Sequence, residues 1–65
     1  MTAWASYTIL SSTEALIEVS YPCGGFGVER VTKPRNGSLY EAAYNAATIK
    51  ATMQGLTLGR FSEAQ

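Results

Sequence analysis

The pattern of apolar and polar positions changes period once along this chain, near Ser38. Before that point the spacing is that of strands. "TAWASYTILS" is rich in β-branched and aromatic residues with nothing to break it, which predicts a first strand from Thr2 to Leu10. "SSTE" interrupts it, and "ALIEVSY" then alternates, with Ile17, Val19 and Tyr21 on one face and Glu18 and Ser20 on the other. This predicts a second strand. Ser11 and Glu14, three residues apart, also fit a capping box, so a short helix over Thr13 to Val19 is the competing reading. Pro22 cannot donate to a ladder and Gly24-Gly25 accepts the positive backbone angles of a tight turn. "PCGG" therefore joins the second strand to a third, Phe26 to Thr32, which "KPRNG" ends.

From Ser38 to about Gln54 the apolar residues Leu39, Ala42, Ala46, Ile49, Met53 and Leu56 recur at intervals of three and four, the spacing of a helix. Ser38 or Asn36 can cap its first turn, Glu41 lies near the positive end of its dipole, and Gly55 supplies a terminator. "LTLGRF" can add a short C-terminal edge strand. There are no repeats and no linker, so residues 1–65 read as one small domain. The predicted fold is α+β: a three-stranded antiparallel sheet in the order β-β-β-α, with one long helix packed on one face.

Two surfaces draw notice. A pairing of Tyr21 with Phe26 sets Glu18 directly opposite Glu29, a like-charge contact that destabilises a sheet. Shortening the loop to Gly24-Gly25 makes the two glutamates diagonal neighbours but leaves them on one face. Leu16 and Val31 share that face, joined either by Tyr7 or by the opposite set with Trp4 and Leu10. The expected surface is acidic, aromatic and partly apolar. On the helix the purely polar arc is narrow, Glu41, Asn45, Thr48 and Thr52, while Tyr40, Tyr44, Ala47 and Ala51 form a second apolar flank. One sheet cannot cover both flanks, so the tyrosines are expected against the first strand or the C-terminal tail, with a partner or dimer surface as the competing reading.

Composition narrows the chemistry. A 65-residue chain buries only about 60% of the surface its unfolded form exposes, but 46% hydrophobic and 15% charged residues suffice for a packed core. Five basic residues balance five acidic ones, all glutamates, so no strong field points to nucleic acid or to a membrane surface. There is no histidine and no aspartate, so Cys23 has no customary base beside it, and one thiol with scattered glutamates makes a poor zinc set. No enzymatic activity, metal or cofactor is expected. "GGFG" is followed by a strand, whereas a phosphate cradle needs a helix N-terminus there. It reads as a hairpin turn, in which Cys23 is replaceable by serine. "TKPRNGS" is the better anion candidate, with Lys33 and Arg35 just ahead of a helix N-terminus, although a capped, solvated turn explains it as well. "NGS" is formally a glycosylation sequon, of little weight without a secretory signal. A lone cysteine and an N-terminus without a basic leader or long apolar run make a cytoplasmic monomer the expectation, with no membrane span.

The layout "ASYTIL", "ALIEVSY", "GVERVT" and "SLYEAAYNAATIKATMQGL" resembles that of the small inhibitors made by phages and mobile elements, anti-CRISPR proteins among them. The resemblance lies in size and layout and carries no site residue over. It implies a non-enzymatic protein-binding inhibitor or adaptor, acting in a bacterial host cell on a nucleic-acid-binding defence complex. Glu18, Glu29, Trp4 and Tyr7 on the sheet, or Tyr40 and Tyr44 on the helix, would meet a larger protein with a basic surface. The alternative is a nucleic-acid-binding module, since three strands and a helix are similar to the latter part of double-stranded-RNA-binding domains and to integrase arm-binding domains. Arg30, Lys33, Arg35 and Arg60 would then hold phosphates, with Trp4 or Tyr7 stacking on bases.

Overall fold

The computed structural model describes residues 1–64 and is α+β. Strands β1 (Thr2–Ile9), β2 (Glu14–Ser20) and β3 (Phe26–Thr32) are followed by helix α1 (Leu39–Met53) and strand β4 (Thr57–Glu63). The segment Glu14–Ser20 is strand, as its alternation predicts, and not the competing helix. The sheet has four strands in the order β3-β2-β1-β4. It is mixed rather than purely antiparallel: β1 pairs antiparallel with β2 and β2 with β3, but β4 pairs parallel with β1. Thr57 to Phe61 of "LTLGRF" thus belong to a full edge strand of seven residues, Thr57–Glu63. The helix is the crossover that carries the chain from one edge of the sheet to the other.

The β2–β3 hairpin sets which side chains lie under the helix. Tyr21 N–H donates to Gly25 O at 2.8 Å and Gly24 N–H to Tyr21 O at 3.0 Å, which leaves three residues, Pro22, Cys23 and Gly24, in the loop. Gly24 takes φ +106°, the extra left-handed residue of a three-residue hairpin turn. That one residue moves the register by a single step from the expected pairing. Glu18 lies opposite Val28, and Glu29 opposite Ile17. Because one step exchanges the two faces, Glu29 and Val31 turn toward the helix while Glu18 and Leu16 turn away. The expected clustering of Glu18 with Glu29, and of Leu16 with Val31, is corrected accordingly. Gly24→Ala is expected to cost about 1–2 kcal/mol, since a Cβ disfavours the left-handed region. Cys23→Ser, on an exposed side chain in the same turn, should stay within about 0.5 kcal/mol. Urea midpoints of the two variants decide this.

Ala3, Ala5, Ala15, Ile17, Val19 and Val31 are the buried residues of the covered sheet face, and Ala43, Ala47 and Ala51 face them from the helix. The helix is therefore rotated from the expected stripe. Ala42, Ala46 and Leu56 are partly buried, but Ile49 is 60% and Met53 77% exposed. A stripe of alanines lets the helix lie close to a sheet that is itself floored by alanines on β1. The tyrosine flank then reaches Tyr7 and Phe61: Tyr7 stacks on Phe61 with centroids 5.0 Å apart, and Tyr40 and Tyr44 each meet Phe61 edge-on at 5.4 Å. Such pairs add about 0.5–1.5 kcal/mol each beyond their area. On the opposite flank Lys50 reaches Glu29 at 3.5 Å. Ser38 is the N-cap, its Oγ accepting from the Glu41 N–H at 3.0 Å, and Gly55, at φ +73°, follows the last turn.

Candidate functional site

One face of the sheet carries the helix, and the other carries no element among the described residues. Alternation places Phe26, Val28, Arg30 and Thr32 of β3 on this open face, with Glu14, Leu16, Glu18 and Ser20 of β2, Trp4, Ser6 and Thr8 of β1, and Arg60 and Ser62 of β4. Leu10, just past β1, continues its outward set. Every large apolar residue in this group is exposed: Phe26 65%, Trp4 54%, Val28 48%, Leu10 46% and Leu16 36%. Single exposed apolar residues are ordinary; here five share one face.

The register gives the patch its shape. Ser20 is opposite both Trp4 and Phe26, and Trp4 is opposite Arg60, so one row runs Phe26, Ser20, Trp4, Arg60 across all four strands. With strands about 4.8 Å apart, the two aromatic rings rise about 10 Å from one another on either side of a serine. Trp4 also has Ser6 two positions along its own strand, and Ser62 lies opposite Ser6. A large indole therefore stands among the short hydroxyl side chains of Ser6, Ser20 and Ser62, with Arg60 beside it on β4. Val28 and Leu16 extend the apolar area toward the other end of β2 and β3.

The charge on this face is balanced. Glu14 and Glu18 lie on β2, between Arg30 on β3 and Arg60 on β4, and Arg30 reaches Glu14 at 3.9 Å. Because Glu29 belongs to the helix side, the expected acidic face is reduced to two carboxylates that share their surface with two guanidiniums.

The candidate residues thus separate into three places. Trp4 and Glu18 lie on the open face, together with Arg30 and Arg60. Tyr7, Tyr40 and Tyr44 lie on the covered side, where they form one aromatic cluster with Phe61. Tyr7 is corrected as a member of the outer surface, because Ala3, Ala5 and Tyr7 share the parity that faces the helix. Lys33 and Arg35 are exposed in the loop after β3, beyond the end of the sheet remote from the Trp4 row. Phe26 and Val28 are the members that the sequence reading missed, since their face depends on the hairpin register alone.

Among the described residues there is no cleft or cavity, no group of three or more potential metal ligands, and no helix long and apolar enough to cross a membrane. Comparisons with protein-family models, with curated proteins and with solved structures give no match to this chain.

Proposed function

We propose that the chain is a non-catalytic protein-binding module, an inhibitor or adaptor, that docks its open sheet face onto a larger protein. The observation that carries this is the concentration of Trp4, Phe26, Val28, Leu16 and Leu10 on a face that no element among the described residues covers. Aromatic anchors raised above small neighbours supply most of the energy of protein interfaces. Two glutamates and two arginines around them favour a partner with an apolar recess and a rim of both signs, in place of the purely basic surface expected from the sequence. The inhibitor role draws its support from the layout shared with small phage inhibitors, whose targets would be nucleic-acid-binding defence complexes of a bacterial host.

A second reading has its own observation. Arg60 adjoins Trp4 and Arg30 shares the face with Phe26, a combination that can stack bases and hold phosphates of a single strand. Against it, Glu14 and Glu18 stand between those two arginines, and Lys33 and Arg35 lie off the platform. Firm duplex binders make on the order of six to ten phosphate contacts. A pull-down from nuclease-treated bacterial lysate, run beside Trp4-fluorescence titrations with single-stranded DNA and RNA, separates the two. Docking on protein predicts a partner that survives nuclease, is lost with Trp4→Ala/Phe26→Ala and is kept with Ile49→Ala/Met53→Ala. A partner lost only with the helix pair, or salt-sensitive quenching by nucleic acid without any protein partner, would overturn it.

A further inference from the structure

We propose that β3 is an assembly edge, through which two copies of this chain pair antiparallel about a two-fold axis at Val28. The phase of the ladder shows which groups are free. Tyr21 N–H donates to Gly25 O and Lys33 N–H to Thr13 O, and between these bonds the antiparallel ladder alternates. Gly27, Glu29 and Val31 therefore spend their backbone groups on β2. Phe26, Val28, Arg30 and Thr32 direct N–H and C=O outward, along the free edge of the sheet.

This edge has few of the features that protect edges in native sheets. It is seven residues long, contains no proline and is regular throughout its pairing with β2. The other edge, β4, slips register against β1 at Gly59. The charged side chain that β3 turns toward the helix, Glu29, is paired with Lys50 at 3.5 Å, which weakens it as a guard against a second strand.

Side-chain chemistry selects the register. A two-fold at Glu29 would bring Glu29 against its own copy, and one at Arg30 would do the same with two guanidiniums; like charges so placed are destabilising. A two-fold at Val28 sets valine on valine, and Phe26 against Arg30 of the second copy on both sides of the axis. Each of those three pairs consists of outward-facing residues, so each exchanges both backbone bonds. The guanidinium can lie over the phenyl ring, and its pairing with Glu14 in the single chain, at 3.9 Å with both side chains well exposed, does not tie it down. On the helix side the same register puts Gly27, which has no side chain of its own, opposite the Glu29 of the second copy, beside the Lys50 ammonium and the Tyr21 hydroxyl that lie within 3.6 Å of where a Gly27 Cβ would be. The product is one eight-stranded sheet whose open faces, and both Trp4 rows, are continuous. This inference does not depend on what docks on the open face.

Sedimentation equilibrium of the full chain, up to about 1 mM protein, tests it. The wild type is expected to dimerise. Val28→Lys, which opposes two cations at the axis, and Val28→Pro, which removes an outward N–H at an edge position that tolerates proline, should both give monomers with unchanged far-UV circular dichroism. Phe26→Arg should dissolve the dimer by facing Arg30, whereas Phe26→Glu should keep it and make it sensitive to salt. Trp4→Ala, two strands from the edge, should leave it intact. A wild type that stays monomeric at every concentration overturns the proposal. So does a dimer that survives both Val28 variants, and so does one dissolved by Trp4→Ala, which would instead stack through its faces.

Discussion

Ile17→Ala is expected to leave much of the chain unfolded at 25 °C. Ile17 and Val19 are the largest fully buried side chains, and Ile17 lies in the cluster formed by the alanines of the helix and Ala3, Ala5 and Val31 of the sheet. Truncating a buried isoleucine costs about 2–5 kcal/mol, more where the surroundings cannot collapse into the space. Here they cannot readily do so, because the neighbouring helix residues are alanines with no side chain to reach inward. A domain of 65 residues holds roughly 3–10 kcal/mol in total, so one substitution removes a large share of it. Ile49→Ala is the matched control. It deletes the same atoms from a side chain that is 60% exposed and should change stability by no more than about 0.5 kcal/mol. Urea unfolding of both variants reads the difference. Equal losses would mean that Ile49 packs in the core and that the helix is rotated toward the stripe its hydropathy suggests.

The second large effect concerns binding. Trp4→Ala with Phe26→Ala should weaken capture of the protein partner by more than about 2 kcal/mol, or upward of 30-fold, which is the scale of a buried aromatic anchor. Both side chains are more than half exposed in the free chain, so the same double substitution should leave the urea midpoint nearly unchanged. Binding and stability are thus expected to respond to different residues: the Trp4/Phe26 pair to affect binding without changing stability, Ile17 to affect folding, and the solvent-side Ile49/Met53 pair to affect neither. A partner that binds the double variant as well as the wild type would remove the open face from the interface.

Several of these features were legible in the sequence. The alternation of Ile17, Val19 and Tyr21 against Glu18 and Ser20 pointed to the covered face of β2, and the strand it predicts prevailed over the competing short helix. Ser38 and Gly55 bounded the helix through the local chemistry of its ends. What escaped were the quantities that depend on contact across the fold. The face of every β3 residue follows from one loop residue, Gly24, whose positive φ adds a step to the hairpin, and "PCGG" is compatible with loops of different length. Hydropathy favoured Ile49 and Met53 over Ala43, Ala47 and Ala51, whereas close packing of a helix on an alanine-rich sheet selects for small volume. The tyrosine flank, by contrast, packs where it was expected, on Tyr7 of the first strand and on Phe61 near the C-terminus. The parallel direction of β4 follows from the helix returning the chain to the far side of β1, and no local residue encodes that.

The most direct test of docking through the open face is the solvent exposure of Trp4 in the complex. Trp4 is the only tryptophan of the chain, so labelling with fluorotryptophan places a single reporter on the open face. That reporter stands at the Phe26–Trp4 end of the open face, and its fluorine resonance should show a solvent isotope shift between light and heavy water in the free chain. Docking predicts that this shift collapses when the captured partner is added to saturation. A shift that persists undiminished in the saturated complex would contradict the proposal and place the contact elsewhere on the molecule.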